Sequence, residues 1–396
     1  MIRIAMAMLA ADRAKFYGLL FGIAFTSFLV TFAASYFCGF MTRGFSLISE
    51  NPAADVWVMD PAVESVEQTI NLPEAALDRV RGVAGVRRAT PLALGNIDLR
   101  FPDGHFQSVE VIGVDDATLA GAPRLPTVGA TGLRAPDAAI ADAGGTEGKL
   151  LAPVNDADRW PHDGPHLDAP RRELRAGDEL LANEHRIRVV GISQGLARFP
   201  PRPLLYMSLA NAMRVLPVEP HRLTFVLVRA APGVAPSDLA RRITAATGLR
   251  ARSNADFRAD TVRWYLVNSE DVGDIGAMLI LAMTMGFGVT GVMLYMFSYE
   301  NQRQYAVLKA IGAQPRTLVM MVLAQAGVCA LIGTGIGLGL CGLAGELVQA
   351  MGFPFRMLWF TPLVGMLGVL LVCGLAAAIS IRPVVKLQPA VVFAGR

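Results

Sequence analysis

Two histidines four residues apart, His162 and His166, lie in the stretch RWPHDGPHLD with Asp156, Asp158, Asp163 and Asp168 around them. Imidazoles and carboxylates set this close are a donor set for a transition metal. The intervening Gly164 and Pro165 keep any helix from presenting both rings on one face, so the stretch reads as a solvated loop and no metal ligand is assigned. Phosphate chemistry fares no better. The fragment GGTEGKL has the wrong spacing for a P-loop and lacks the hydroxyl after Lys149 that would meet Mg²⁺. Gly337, Gly339 and Gly342 spell GxGxxG, but they sit among Leu and Ile with no preceding strand and no ribose-binding acid at the expected distance. Gly333/Gly337 and Gly335/Gly339 read instead as small-xxx-small pairs that let transmembrane backbones approach closely. No GxSxG, HExxH or intramembrane acid pair occurs, and Glu346 falls near a span end, where it reads as interfacial. No catalytic residue is assigned, and an enzyme or ion-coupled transporter has no visible means of driving its work.

The elements that would position these residues are dominated by lipid. Of 396 residues, 53% are hydrophobic and only 17% charged, where soluble chains average about a quarter charged. The balance of 36 basic against 33 acidic residues is too even for a nucleic-acid surface. A bilayer core needs about 20 apolar residues as a helix, and four stretches qualify: about Phe16–Phe40, Ile275–Phe297, Leu318–Leu343 and Phe360–Ile381. Lys and Arg near span ends mark the cytoplasmic side. Arg3, Arg13 and Lys15 precede the first span, Arg303, Lys309 and Arg316 separate the second and third, and Arg382, Lys386 and Arg396 follow the fourth. The loop between the third and fourth holds Arg356 alone. Both termini are therefore expected in the cytoplasm and about Thr42–Asp274 outside. A signal peptide cleaved after Ala33-Ala34-Ser35 is the competing reading of the first span, whose apolar run is far longer than a signal core. Cys38, Cys329, Cys341 and Cys373 all fall in apolar runs and offer no disulfide or CxxC site.

Residues 42–274 are too long for a loop and read as a soluble α+β region. ADVWVM (Ala54–Met59), FQSVEVIGV (Phe106–Val114), HRIRVVGI (His185–Ile192) and RLTFVLVRA (Arg222–Ala230) have the pattern of half-buried strands. LPEAALDRVRGV reads as a helix opened by Pro73, and APSDLARRITAATG as one capped by Ser237 and stopped by Gly248. The stretch from Gly121 to Pro170 is rich in Gly, Pro, Ala and Asp and reads as loop.

Between the second and third spans runs SYENQRQYAVLKAIGAQPR, Ser298 to Arg316, with Tyr305, Leu308 and Ile311 at helical spacing and Gly312 placed to stop the helix. A helix with that apolar side and Arg303 and Lys309 at its rim suits a groove on a partner; a helix lying on the inner leaflet is the plainer alternative. Four spans, a large insert after the first and this basic helix resemble the FtsX-like, MacB-type permeases of ABC transporters. In that family the segment reads E-R-x-R-E-I-x-x-x-x-A-x-G-A, and Glu300, Arg303, Tyr305, Ala310, Gly312 and Ala313 fall on matching positions, while Gln304 departs from the usual second Glu. YAVLKAIGA, WYLVNSEDVGDIG, Met285-Gly286-Phe287 and the final Pro389–Phe393 segment are similar to the DevC-type subgroup, with LolC/LolE-type lipoprotein extractors as close relatives. The resemblance implies a four-helix α-helical membrane domain with a large α+β extracytoplasmic domain inserted between the first and second helices. It divides the chain into residues 1–41 (cytoplasmic N-terminus and first span), 42–274 (periplasmic domain) and 275–396 (FtsX-like domain with coupling segment 298–316). It also implies ATPase contacts at Glu300, Arg303, Tyr305, Leu308, Lys309 and Gly312, with ATP and Mg held by a separate cytoplasmic ATPase and no cofactor in this chain. A second permease copy, a HlyD-like adaptor and membrane lipid are the other implied partners, at a bacterial inner membrane. The implied function is mechanical export; lipoprotein extraction of the LolC/LolE kind and FtsX-like signalling to an envelope partner are the alternatives.

Overall fold

The computed structural model describes residues 13–123, 130–217 and 222–385. Arg3, Lys386, Arg396 and the Pro389–Phe393 segment lie outside the described residues. The chain divides into two units, Met1–Phe40 with Ser269–Arg396, and Met41–Asn268. Helix α1 (Arg13–Gly44) supplies the first candidate span, Phe16–Gly44.

The second unit begins with the short helix α2 (Ser46–Glu50), then β1 (Val56–Met59), β2 (Leu72–Pro73) and helix α3 (Ala75–Arg81). A long strand β3 (Val86–Arg100) and β4 (Phe106–Val114) follow, then β5 (Ala138–Asp142), β6 (Leu151–Pro153) and β7 (Arg171–Glu173). Next come β8 (Glu179–Ala182), β9 (His185–Ser193), β10 (Leu204–Ser208) and helix α4 (Leu209–Val215). The unit ends with β11 (Arg222–Leu223), β12 (Phe225–Ala230), α5 (Pro236–Thr247), β13 (Arg250–Ser253) and α6 (Asn254–Asn268).

Nine strands join in the order β13-β1-β12-β3-β4-β10-β5-β9-β8, and β8 pairs again with the far end of β3. That second pairing closes β3 through β8 into a ring. Its interior is filled by Ile97, Leu99, Val109, Val111, Ala139, Leu180, Val189 and Met207. On the open wing, strand alternation sorts β1 to two faces. Val56 and Val58 pack with Leu239 and Ile243 of α5, and Trp57 and Met59 pack with Phe225 and Phe257.

Several expectations are corrected here. Gly121–Pro170 is not simply loop, since β5 is a fully buried strand between β9 and β10. Its alanines carry no β-branched signal, and small residues are what a strand enclosed on both faces accommodates. Pro73 sits in β2 rather than at a helix start. Ser237 lies inside α5, whose N-cap is Ala235 and whose side chain makes no capping bond. RLTFVLVRA splits at Thr224, whose hydroxyl accepts the Leu94 backbone N–H at 2.9 Å. Gly248 does end α5, in the left-handed conformation with φ 72° that glycine tolerates.

Helices α7 (Glu270–Glu300), α8 (Gln302–Ala310), α9 (Pro315–Ala350) and α10 (Thr361–Val385) complete the first unit, and α7, α9 and α10 supply the remaining candidate spans. The helix α9 runs well past Leu343, the expected end of the third span. Within this unit α10 packs along both α7 and α9, and glycines bring the other helices close to α1. A Cβ on Gly22 of α1 would meet Val289 of α7, one on Gly286 would clash with Thr26, and ones on Gly365 and Gly368 of α10 would meet Thr31 and Val30. Close backbone approach lets small polar groups on α1 find partners in a site without water. Ser27 donates to the Thr334 carbonyl at 3.4 Å and Ser35 to the Thr361 hydroxyl at 3.2 Å, whereas Thr26 bonds back within α1 to the Gly22 carbonyl at 2.8 Å.

Candidate functional site

The segment between α7 and α9 folds as the short helix α8, as its apolar spacing predicts. Gly312 ends it with φ 98°; its N–H reaches the Lys309 carbonyl at 3.1 Å and the Ala313 N–H reaches Leu308 at 2.9 Å. Those two bonds satisfy carbonyls that the helix end would leave orphaned. Pro315 then opens α9 at a position where its missing N–H costs nothing.

The apolar side of α8 is not presented outward. Tyr305 is fully buried and packs with Leu318, Met321 and Val322 of α9, while Leu308 is half-buried against the same cluster. The Tyr305 hydroxyl donates to the Gln325 side-chain oxygen at 3.2 Å, and burial pushes its pKa up to about 12. This corrects the expectation of a single docking stripe through Tyr305, Leu308 and Ile311. A rooted helix buries the residue that can reach the neighbouring span, and the tight turn at Gly312 leaves Ile311 outside, 74% exposed. The outward surface therefore comprises Arg303, Gln304, Val307, Ile311 and Arg316. Lys309 is half-buried, and Glu300 is the last residue of α7, exposed. Gln325 was passed over in the sequence; an uncharged polar residue inside an apolar run was the available signal.

Of the two glycine pairs in α9, the structure separates the members by face. A Cβ on Gly333 would come within 2.6 Å of Ile23, and one on Gly337 would strike the Ala24 carbonyl and Ser27, so this pair faces α1. A Cβ on Gly335 or Gly339 would meet nothing within 4 Å among the described residues. The packing glycines at 22, 365 and 368 carry no signal in the sequence, and Gly286 stands there only within the Met285-Gly286-Phe287 segment, with no packing role read from it.

In the RWPHDGPHLD loop, His166 Nδ1 lies 2.9 Å from Asp158 and Nε2 lies 3.1 Å from Asp163. The Asp158 hydrogen bond is the first cause raising the imidazole pKa, and carboxylates on both nitrogens favour the imidazolium. His162 is exposed. Among the described residues no group of three His, Cys, Asp or Glu side chains is placed to hold a metal ion.

The geometry of α8 between two candidate spans meets an independent comparison. Residues 276–389 match the family model of the FtsX-like permease C-terminal domain. This part of the chain is an FtsX-like permease domain. The match takes in α8, the turn at Gly312 and both glycine pairs of α9. An uncharacterized ABC transporter permease of Mycobacterium bovis is 23% identical over 221 residues, which is 55% of this chain and 58% of that protein's length. Another from Mycobacterium tuberculosis is 22% identical over 332 residues, 83% of this chain and 80% of its own. The periplasmic region of MacB from Actinobacillus actinomycetemcomitans is similar over 58% of this chain and 98% of its own, at 12% identity and a TM-score of 0.36. The FtsX-like domain thus contains the candidate coupling helix, and the chain has ABC transporter permeases as relatives.

Proposed function

We propose that this chain is the membrane subunit of an ABC exporter and passes the motion of a separate ATPase to its α+β domain by mechanotransmission. The supporting observation is α8 itself: a short helix fixed to α9 through Tyr305, with Arg303, Val307 and Ile311 turned outward, inside an FtsX-like domain. A helix anchored by a buried aromatic moves with its span, so a push on its outer face displaces α9 rather than unfolding the connection. In this reading Val307 and Ile311 enter a groove of the ATPase and Arg303 and Arg316 meet its rim. ATP and Mg belong to the ATPase, the permease works as a pair, and a HlyD-like adaptor joins the domain outside the inner membrane.

The test keeps the fold and changes only the outer face. The full chain is purified from its own host in detergent as wild type, Val307→Asp and Ile311→Asp, and co-purifying ATP hydrolysis is measured with thermal unfolding. Both variants are expected to unfold at the wild-type temperature and lose at least tenfold of the associated ATPase activity. Retention of the wild-type ATPase activity in both variants would overturn the coupling role.

A further inference from the structure

The chain enters and leaves the second unit through α2 and α6, and both elements end on one buried cluster of charge. Glu50, the last residue of α2, accepts hydrogen bonds from the Leu196 N–H at 2.5 Å and the Tyr206 hydroxyl at 3.3 Å. Tyr265 of α6, buried, donates to the Phe199 carbonyl at 3.3 Å and also bonds Glu67. Leu196 and Phe199 belong to the 194–203 segment, which therefore bridges the two connections. From the same segment come two arginines. Arg198 is only 6% exposed, and among the described residues its Nε and Nη2 have no hydrogen-bond acceptor; Glu50 stands 3.9 Å from Nη2. Arg202 meets Glu67 at 3.1 Å and Glu110 of β4 at 4.0 Å. Asp142 of β5 adds a further carboxylate, held by the Ser193 hydroxyl at 2.5 Å and the N–H groups of Gly195 at 2.6 Å and Gly144 at 2.8 Å.

Three carboxyl groups, Glu50, Glu67 and Glu110, thus share two guanidinium groups, Arg198 and Arg202, and Asp142 adds a fourth carboxyl beside Glu50. With every group ionised the cluster carries excess negative charge in a place poor in water, which is costly unless a proton is taken up. The geometry indicates where. Asp142 has three donors and Glu50 has two, whereas Glu67 faces Glu110 across a shared Arg202. We propose that this cluster is a proton-loaded latch, in which protonated Glu67 holds the 194–203 segment onto α2 and α6 and its ionisation loosens that hold. The proton leaves the Glu67 carboxyl for solvent, and the new negative charge lies among Glu50, Glu110 and Asp142.

Burial is the first cause driving the Glu67 carboxyl up, to about 7; Arg202 opposes it and Glu110 adds to it. Burial raises Glu50 as well, against Arg198. The sign for stability follows. A carboxyl whose folded pKa stands above its unfolded value of about 4.5 favours the folded state below that value and loses the contribution as pH rises through 7. The groups facing Glu67 are Arg202 and Arg198 from the bridging segment, Glu110 from β4 and Tyr265 from α6. Tyr206 and Asp142 complete the wider cluster around Glu50 and Arg198.

Hydrogen exchange of the 194–206 backbone, read by mass spectrometry on the full chain in detergent between pH 5.5 and 8.5, tests the latch. Comparing wild type with Glu67→Gln at each pH removes the intrinsic pH dependence of exchange. The expected result is agreement within twofold at pH 5.5 and at least fivefold faster exchange in wild type at pH 8.5. Equal exchange at every pH would overturn the proposal. If Glu67→Gln does not fold, Tyr265→Phe substitutes for it. Loss of the hydroxyl bond, which favours ionised Glu67, is expected to move the wild-type midpoint to higher pH, and an unmoved midpoint counts against the latch.

Discussion

A phenol with no exposed surface needs a partner for its hydroxyl, and Tyr305 finds one in Gln325, itself fully buried in α9. The pair explains why an aromatic and an amide occur where an apolar run would otherwise continue. It also separates two roles that the sequence merges, since the residue that fixes α8 is not one that a partner can touch. Tyr305→Phe keeps the ring packed and loses one hydrogen bond, at a cost of about 1 kcal/mol. Tyr305→Ala empties the site among Leu318, Met321 and Val322, at a cost of about 3–5 kcal/mol. Thermal unfolding of the purified chain should order them wild type, Tyr305→Phe, Tyr305→Ala. A Tyr305→Ala variant as stable as wild type would remove the anchoring argument.

At the scale of elements, the glycines of α9 make the clearest contrast. The spacing of Gly333, Gly335, Gly337 and Gly339 was readable in the sequence, but not which pair meets a neighbour, because that depends on where α1 lies. Gly337→Val puts a branched side chain against the Ala24 carbonyl and Ser27. Overpacking of this kind costs about 1–3 kcal/mol, while Gly335→Val and Gly339→Val extend into open space and should unfold within a degree or two of wild type. Equal melting temperatures for all three variants would contradict the packing. The same reasoning accounts for what else the sequence could and could not show. Long apolar runs declare themselves as spans because length alone decides them, and β4 and β9 alternate or carry β-branched residues as strands should. β3 was missed because Pro91 and Gly95 interrupt its pattern, although it is the strand that closes the ring. The cluster around Arg198 was illegible for another reason. Its charges come from α2, β4, β5, the 194–203 segment and the stretch before β2, and no local pattern unites residues so far apart in sequence.

At the scale of the whole molecule, the question is which ends of the spans share a side. Within the first unit the answer is partly geometric: the Arg356 N–H donates to the Ser35 carbonyl at 3.0 Å, and a Cβ on Gly39 would strike the backbone of Pro354 and Phe355. The turn between α9 and α10 therefore lies at the end of α1 from which the chain continues into residue 41. The helix α8, one span length away along α7 and α9, lies at the other end. Charge then orients the pair. Arg303, Lys309 and Arg316 belong to the α8 side, against Arg356 and the Arg43 that ends α1 on the opposite side, so the positive-inside rule predicts α8 in the cytoplasm and residues 42–274 outside. The four cysteines are all buried within spanning helices, which leaves an introduced thiol as the main target of a membrane-impermeant maleimide. Both test positions, Glu147 and Arg316, are exposed. In intact spheroplasts Glu147→Cys is expected to label and Arg316→Cys to label only after permeabilisation. The reverse pattern would turn the molecule over, detach α8 from any cytoplasmic motor and leave the charge asymmetry without its explanation.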